Sequence, residues 1–408
     1  MIFEKSAMPG DLAKFEVKID SVDITESVLS VTVFQDIFSP TWTASIDLND
    51  TNNMMMNVPI VPGSEVAISV KTDLKSETDG EKTFKFVVFG IGDKQFENSM
   101  QQFYTISCVS QDFIKNQGIR VLQSYRNRQP DQICSSIIEE YLDGTVDADS
   151  ASNQISTIIS NLSPFTAAHL MCKVAVCNGA ADMMFFMRDD KKYAMKSIES
   201  MYNESPIFKF KMRPSNIRGE SGNLEEDYNL CITNYHFEHY DVMSNISSGL
   251  YANKLVQFNF IDKTWNEKKF KFGDDVAADA EKKPWKNEDL FEQENANISF
   301  LPKHPGLSGN GETIFDSATD WSGSRRSSLM KLEQDKLIVQ LPGGVKGWEA
   351  LGHTVDIDLP SQQDFENEVY DKQFKGRYLV VAISHYFGKH SYFINYELIK
   401  KRHEVKIK

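Results

Sequence analysis

The 408-residue sequence has no run of about 18 apolar residues, so it offers no transmembrane helix. Its start, Met1-Ile2-Phe3-Glu4-Lys5, has neither the basic opening nor the apolar stretch of a signal peptide, and no secretion leader is expected. Cysteine is sparse and odd in number: Cys108, Cys134, Cys172, Cys177 and Cys231. The expectation is free, mostly buried thiols in a reducing compartment, because a chain this long builds its cores without disulfide staples. Positive charge is in deficit, with 44 Lys and Arg against 58 Asp and Glu and a net charge of −14. That balance excludes a protein that wraps nucleic acid tightly, which needs clustered cations, and one anchored electrostatically to anionic lipid. What is present is ordinary for a globular chain, 41% hydrophobic and 25% charged residues. At roughly 150 residues per domain the length allows about two to three domains.

Signatures of chemistry are also missing. The sequence holds no Walker loop, no GxGxxG and no GxSxG. Gly219-Glu220-Ser221-Gly222 has the wrong spacing for a nucleophile elbow and reads as a flexible loop. Asp147-Ala148-Asp149-Ser150-Ala151-Ser152 has the outline of a calcium loop, but Ala151 occupies a ligand position and Ser152 stands where the turn needs glycine. His236 and His239 lie three apart in a strand-like segment, which turns them to opposite sides. His385 and His390 flank a predicted hairpin turn with no third ligand apparent. Cys172 and Cys177 fall on different faces of a predicted helix and match neither a zinc pair nor a redox motif. Glu139 and Glu140 are adjacent on a helix and diverge, as a solvated face does. Met54-Met55-Met56 reads equally as an adaptable apolar contact or as ordinary core. The expectation is no catalytic residues, no metal and no cofactor.

Alternation of apolar and polar residues dominates from 12 to 112, in about six runs. Phe15, Val17 and Ile19 open the series. Leu29, Val31 and Val33 follow, then Trp42, Ala44, Ile46 and Leu48. Val66, Ile68 and Val70 come after Pro62-Gly63. Phe84, Phe86 and Val88, then Tyr104, Ile106 and Cys108, complete it. Each run has one apolar face, as a strand covered on one side requires. Six strands in about 100 residues predict a small barrel or sandwich.

The middle is mixed. Pro130–Leu142 carries Ile133, Ile137, Ile138 and Tyr141 on one helical face, with Gly144 as a stop. Ser163-Pro164 is an N-cap followed by proline at the first helical position, and Gly179 fits the left-handed position at that helix's end. Met183–Met187 and Tyr193–Ile198 predict a hairpin about Asp189-Asp190. Strands return near Cys231–Tyr240 and Lys254–Ile261. The charged stretch from Lys263 to Gly311 has few β-branched residues and is expected to be loop, long enough to serve as an interaction surface. A helix is expected from Trp321 to about Leu332 with Asp320 as its cap. The rest is β: Leu337–Leu341, Val355–Leu359, and Leu379–Ile383 against Tyr392–Tyr396 across Gly388-Lys389.

The C-terminal third carries a resemblance. Arg325-Arg326 and Lys331-Leu332 lead into Lys336-Leu337-Ile338-Val339-Gln340-Leu341-Pro342-Gly343. Leu351 to Pro360, Gly376 to His385 and Tyr396-Glu397-Leu398-Ile399-Lys400 follow. This segment resembles the closing β-domain of the baseplate central hub proteins of contractile-tailed phages, a superfamily that includes the spike hubs of type VI secretion. Ile46-Asp47-Leu48-Asn49-Asp50 and Pro62-Gly63-Ser64-Glu65-Val66 are similar to the first tube barrel of such hubs. Pro164-Phe165 through Gly179, then Asp182–Phe186, resembles their insert. Residues 263–320 match no part of the family.

The resemblance implies a mainly β fold with α+β insertions and two tube-type β-barrel domains in one chain. The implied division is 1–115 for the first barrel, 116–225 for an α/β insert, 226–262 plus 330–408 for the second barrel, and 263–329 for an extended insertion ending in a helix. It implies a homotrimer of pseudo-sixfold symmetry that joins a hexameric tail tube to a trimeric spike and forms part of the DNA channel. No β-helix repeat follows the second β-domain before Lys408, so the spike is expected to be a separate protein. Partners would be the tube protein, the spike and other baseplate proteins, with DNA passing through unbound. The location would be the virion, after synthesis in the host cytoplasm, with no membrane anchor. Acidic residues on polar strand faces, Glu16, Asp47, Glu65, Asp356 and Asp358, are the candidates for the lumen. A tail-associated cell-wall hydrolase or a host-binding tail protein is the alternative.

Overall fold

The computed structural model describes residues 10–51, 60–72, 81–98, 101–212, 230–238, 242–259, 263–271, 293, 295–303, 321–332, 336–361, 371 and 374–400. The strands in the first third are β1 Leu12–Ile19, β2 Val22–Asp23, β3 Val28–Asp36, β4 Thr43–Asp50, β5 Glu65–Thr72, β6 Glu81–Asn98 and β7 Gln101–Val109. The middle holds β8 Val121–Arg128, β9 Thr145–Ala148, β10 Ile155–Leu162, β11 Met183–Asp189, β12 Lys192–Ser197, β13 Phe208–Lys211, β14 Asn234–Phe237, β15 Ala252–Asn259, β16 Thr264–Lys271 and β17 Ile298–Lys303. Then come β18 Lys336–Pro342, β19 Thr354–Asp358, β20 Gly376–Gly388 and β21 Tyr392–Lys400. The chain is mainly β, with helices confined to short segments, and it divides into two compact units.

The first unit comprises Met1–Lys115, Pro206–His236 and Leu337–Leu398. Its strands hydrogen-bond in the order β14-β18-β21-β20-β3-β4-β7-β6-β5-β1-β2, with β19 added on β20 and β13 added parallel on β19. The alternating residues of the first third mostly point inward as expected; Leu29 does not, being 43% exposed, because the β3–β4 register shifts between Val28 and Ser30 and buries Val28 instead. Val17, Val31, Ile46, Ile68, Phe84 and Ile106 are all buried. Each such side chain contributes roughly 1.5–3 kcal/mol on leaving water, which fixes register because a one-residue slip would expose the whole set. β6 is long enough to bend. Its pairing with β7 shifts between Val88 and Gly90 and again between Gly92 and Gln95, where missing side chains let the strand bulge.

The second unit comprises Asn116–Ser205, Phe237–Lys336 and Ile399–Lys408. Helices Pro130–Leu142 and Pro164–Val174 start where the sequence predicts, each with proline at its opening. Their ends differ from expectation. The left-handed residue closing the first is Asp143, at φ 53, while Gly144 lies against Tyr193 and Ile138 so tightly that a Cβ would stand 2.8 and 2.9 Å from them. The second helix stops at Val174 rather than near Gly179. Asn153 replaces its next turn, donating to the Val174 carbonyl at 2.8 Å and accepting from the Val176 amide at 3.0 Å. Gly179, at φ +82, serves the following turn between Cys177 and Ala180.

The segment after Lys263, expected to be loop, contains two strands. β16 pairs antiparallel and β17 parallel with β15, giving a separate three-stranded sheet. β16 reads Thr-Trp-Asn-Glu-Lys-Lys-Phe-Lys, too polar to reveal itself as a strand by alternation, and it holds its place through the ladder to β15. The helix of the last third runs Ser322–Lys331. The expected cap Asp320, the Met54–Met56 run, Gly219–Gly222 and His239 lie outside the described residues.

Candidate assembly surfaces

The two β-regions of the first unit meet along one ladder. β3 and β20 pair antiparallel from Ser30 with Gly388 to Asp36 with Ala382, although some 350 residues separate them. Beneath this ladder lies an aromatic cluster drawn from both regions. Phe84 packs edge-on against Trp42 at 5.9 Å and against Trp348 at 4.9 Å, and lies 6.3 Å from Phe387. Phe387 in turn stacks on Tyr392 at 4.5 Å. His385 is enclosed in the same core. Its Nδ1 lies 2.9 Å from the Tyr392 hydroxyl and its Nε2 3.4 Å from Gln35 Oε1, so the tautomer protonated at Nε2 accepts from Tyr392 and donates to Gln35. Burial, with a smaller contribution from Lys82, pushes its pKa down to about 3. His390, by contrast, is exposed at the hairpin turn, so the two imidazoles do not converge.

On the opposite face of β3, β4 and β7 many side chains are small and hydroxylated, with Phe34 exposed among them. Thr32 stands opposite Ser45, and Ser45 opposite Ser107. Asp47 lies among them and is held on both oxygens. Ser30 Oγ donates to Oδ2 at 2.8 Å and Thr105 Oγ1 donates to Oδ1 at 2.8 Å. This face of the three strands bears two carboxylates, Asp36 and Asp47, and no lysine or arginine among its described residues.

The other four acidic candidates are spread over the same unit. Glu16, on β1, pairs with Lys18 at 2.5 Å and Lys14 at 3.5 Å, and the Lys18 hydrogen bond holds its carboxyl below the usual range. Glu65 is exposed at the start of β5, where its amide and carbonyl bond Asp20. Asp356 is half-buried on β19, opposite Lys209 on β13 and Arg377 on β20. Asp358 is buried, with Lys209 at 2.9 Å and Lys375 at 3.9 Å. Sequence reasoning placed all five on strands, and Glu16 has its lysines two residues away on the same strand, but it had no means of seeing the cations beside Asp356 and Asp358, which come from other parts of the chain.

The second unit is organised by polar anchors. Arg325, on helix Ser322–Lys331, sends Nη1 to the carbonyls of Cys172 at 3.0 Å, Ala181 at 3.1 Å and Met183 at 3.2 Å. Cys172 sits in the last turn of its helix, where unsatisfied carbonyls concentrate negative potential and favour a cation. Asp182 is buried and accepts from Ser197 Oγ and from the Glu199 amide, both at 2.8 Å, at the start of helix Ile198–Asn203. Desolvation raises its pKa despite these donors. In the calcium-like segment, Asp147 and Asp149 both take the Lys196 ammonium, at 2.8 and 3.1 Å. Glu140 accepts from Gln123, while Cys172 and Cys177 are free and buried. Among the described residues no group of three His, Cys, Asp or Glu converges as a metal site, and no helix is long and apolar enough to cross a membrane.

No protein-family model matches the sequence, and no curated protein matches it either. Solved structures do. The tail protein from Neisseria meningitidis MC58 superposes with a TM-score of 0.57 over 95% of this chain and 96% of its own, at 7% identity. The 43 kDa tail protein of prophage MuSo2 from Shewanella oneidensis superposes with a TM-score of 0.58 over 95% of this chain and 98% of its own, also at 7% identity. The E. coli c3393 protein, a component of the type VI secretion system, gives 0.45 over 96% and 79% at 11% identity. Across nearly its whole length the chain has the fold of the two tail proteins, in line with the resemblance to tail hubs read from its sequence.

Proposed function

We propose that this protein is the structural hub of a contractile tail baseplate. Two tube-type β-barrels per subunit, three subunits to a ring, would give pseudo-sixfold symmetry toward a hexameric tail tube and threefold symmetry toward a separate trimeric spike. The observation that carries this reading is the agreement in fold with two tail proteins from end to end of both chains. The β3–β20 ladder supports it, because a subunit that occupies two positions of a ring needs its β-regions held at a set spacing. Its partners are then the tube protein, the spike and other baseplate proteins, and its place is the virion.

The same reading makes the ring part of the DNA channel. A wall of lysine and arginine would release counterions and retain the duplex, whereas an acidic or neutral polar wall repels the backbone within a Debye length of about 8–10 Å. The hydroxyl face around Asp47 suits that requirement, as does the net charge of −14 per chain. Glu16, Glu65, Asp356 and Asp358 remain the further lumen candidates, Glu65 being the exposed one. The role is mechanical and not catalytic.

Mass photometry and negative-stain imaging of the purified chain test the assembly. A particle of three 46.4 kDa chains with a central opening is expected. A monomer at high concentration that is also monomeric in assembled tails would overturn it. Zymography on bacterial cell walls tests the absence of activity: a cleared band abolished by one substitution in this chain would refute it.

A further inference from the structure

β8 and β10 form a sheet of their own, antiparallel and two strands wide. Among the described residues neither outer edge pairs with another strand, and the amides and carbonyls along both edges form no backbone hydrogen bond to another segment. One face of the ribbon is covered. Val121, Tyr125, Ile155, Thr157 and Ile159 are buried on it, and Gln123 donates to Glu140 of helix Pro130–Leu142 at 2.8 Å. The other face carries the alternate residues, Leu122, Ser124 and Arg126 on β8 beside Ile158 and Ser160 on β10. Leu122 stands opposite Ser160 and Ile158 opposite Ser124, which makes the two aliphatic side chains diagonal neighbours. Leu122 is 75% exposed and Ile158 73%, and the serines beside them are too short to shield them. A ribbon with two free edges and an aliphatic pair in water is an incomplete sheet, since two strands alone bury too little to be stable by themselves.

Two cations stand at one end of this face. Arg126 and Arg128 are exposed, and among the described residues neither forms an ion pair. Other cations of the same unit do: Arg188, Lys192 and Lys196 each hold an aspartate. β10 carries no charged side chain, so of the two edges the β8 edge is the one with a chemical preference. We infer that the β8 edge takes up an extended segment of a partner protein as a third strand. That segment places an apolar side chain beside Leu122 and a carboxylate beside Arg126, four positions apart on one face because side chains alternate. Main-chain hydrogen bonds supply the affinity, and these two side chains supply the selection. At physiological salt the remaining negative charge of the chain is screened beyond about 8 Å, so the unpaired guanidinium groups in contact decide the sign of the partner. Nucleic acid fits less well, because the face has no aromatic ring on which bases stack. The inference rests on this ribbon alone and stands whether or not the chain is a tail hub.

The test uses the full chain and three probes: a short fluorescent peptide of β-branched residues with one leucine and, four positions on, one glutamate; the same peptide with lysine in place of glutamate; and oligothymidine. Tighter binding of the acidic peptide is expected. Leu122→Ser with Ile158→Ser should weaken it about tenfold or more, the effect of losing interface anchors. Arg126→Glu with Arg128→Glu should reverse the preference between the two peptides. All four side chains are exposed, and circular dichroism identical to the parent shows that a variant has folded. Hydrogen exchange gives a readout free of substitutions: the outer amides of β8 should become protected on peptide binding while those of β10 do not. Equal affinity for both peptides, no binding of the acidic one at about millimolar concentration, or binding that the serine variant leaves intact would overturn the proposal. So would protection confined to β10, or oligothymidine displacing the peptide. A fall in light-scattering mass of the serine variant would overturn it as well, by making the occupant a second copy of this chain.

Discussion

Nδ1 of His385 lies 2.9 Å from the hydroxyl of Tyr392, and both side chains are excluded from solvent. One residue comes from each strand of the β20–β21 hairpin, and the pair reaches β3 through Gln35, so a single polar chain ties the closing hairpin to the first β-region. Tyr392→Phe leaves Nδ1 buried without its donor. The expected loss is about 1–3 kcal/mol in a urea titration.

The same histidine makes stability depend on pH. Its folded pKa is pushed down to about 3, below the ordinary value of 6.5, chiefly by burial. Above 6.5 both folded and unfolded chains hold it neutral and it contributes no slope. As pH falls through 6.5 toward 3, the unfolded chain takes up a proton that the folded one refuses, so stability drops by up to about 1.4 kcal/mol per pH unit. Chemical denaturation between pH 7 and 4 should show a shallower slope for His385→Gln than for the parent. Parallel slopes would refute the assignment.

Phe84 joins the cores of the two β-regions, so truncating it should weaken both. Phe84→Ala is expected to cost about 3–5 kcal/mol. Hydrogen exchange should accelerate in β5–β6 and in β20–β21 together. Acceleration confined to β5–β6 would mean that the regions unfold independently.

Gly343 and Gly92 make a contrasting pair. A methyl at Gly343 would fall on the ring of Tyr392, whereas one at Gly92 meets nothing within 4 Å. Gly343→Ala should destabilise by about 1–3 kcal/mol through overpacking, and Gly92→Ala should be neutral or stabilising by up to about 1 kcal/mol. Thermal melts of the two variants distinguish these outcomes.

Arg325→Met keeps the side-chain stem but removes the donors to three carbonyls. A loss of about 1.5–3 kcal/mol is expected, with faster amide exchange in helix Ser322–Lys331 and at the end of helix Pro164–Val174. An unchanged exchange pattern would show that packing alone holds the helix.

Thiol reactivity should follow burial. Burial pushes the Cys108 and Cys172 thiols up to about 12 and raises Cys134 well above its ordinary value, while Cys231 is only half-buried. Burial raises Cys177 too, so iodoacetamide on the native chain, read by mass spectrometry, should label Cys231 first and the other four only on unfolding.

Much of the fold could be read locally. Val31, Val33, Ile46 and Leu48 announce their strands because an i, i+2 pattern is written in neighbouring residues. Ser163-Pro164 announces a helix start for the same reason. β16 and β17 escape local reading because β16 is exposed at nearly every position and β17 turns Ile298 and Phe300 outward, so neither shows one buried apolar face, and only pairing with β15 makes them strands. The helix end at Val174 escaped because its cap, Asn153, lies 21 residues upstream. Of the surfaces, the acidic positions were legible as polar strand residues, but Lys209 beside Asp358 was not.

The sequence by itself determined the composition class, the order of β, mixed and β segments, the inward faces of the strands and the starts of the main helices, since each depends on residues a few positions apart. Only the tertiary structure decided that β3 pairs with β20, that β15 takes β17 parallel across some 40 residues, that Arg325 collects three distant carbonyls, and that His385 sits neutral beside Tyr392. Those outcomes depend on which of many chemically similar edges and faces fit one core together, a competition among contacts far apart in the chain that no local pattern records.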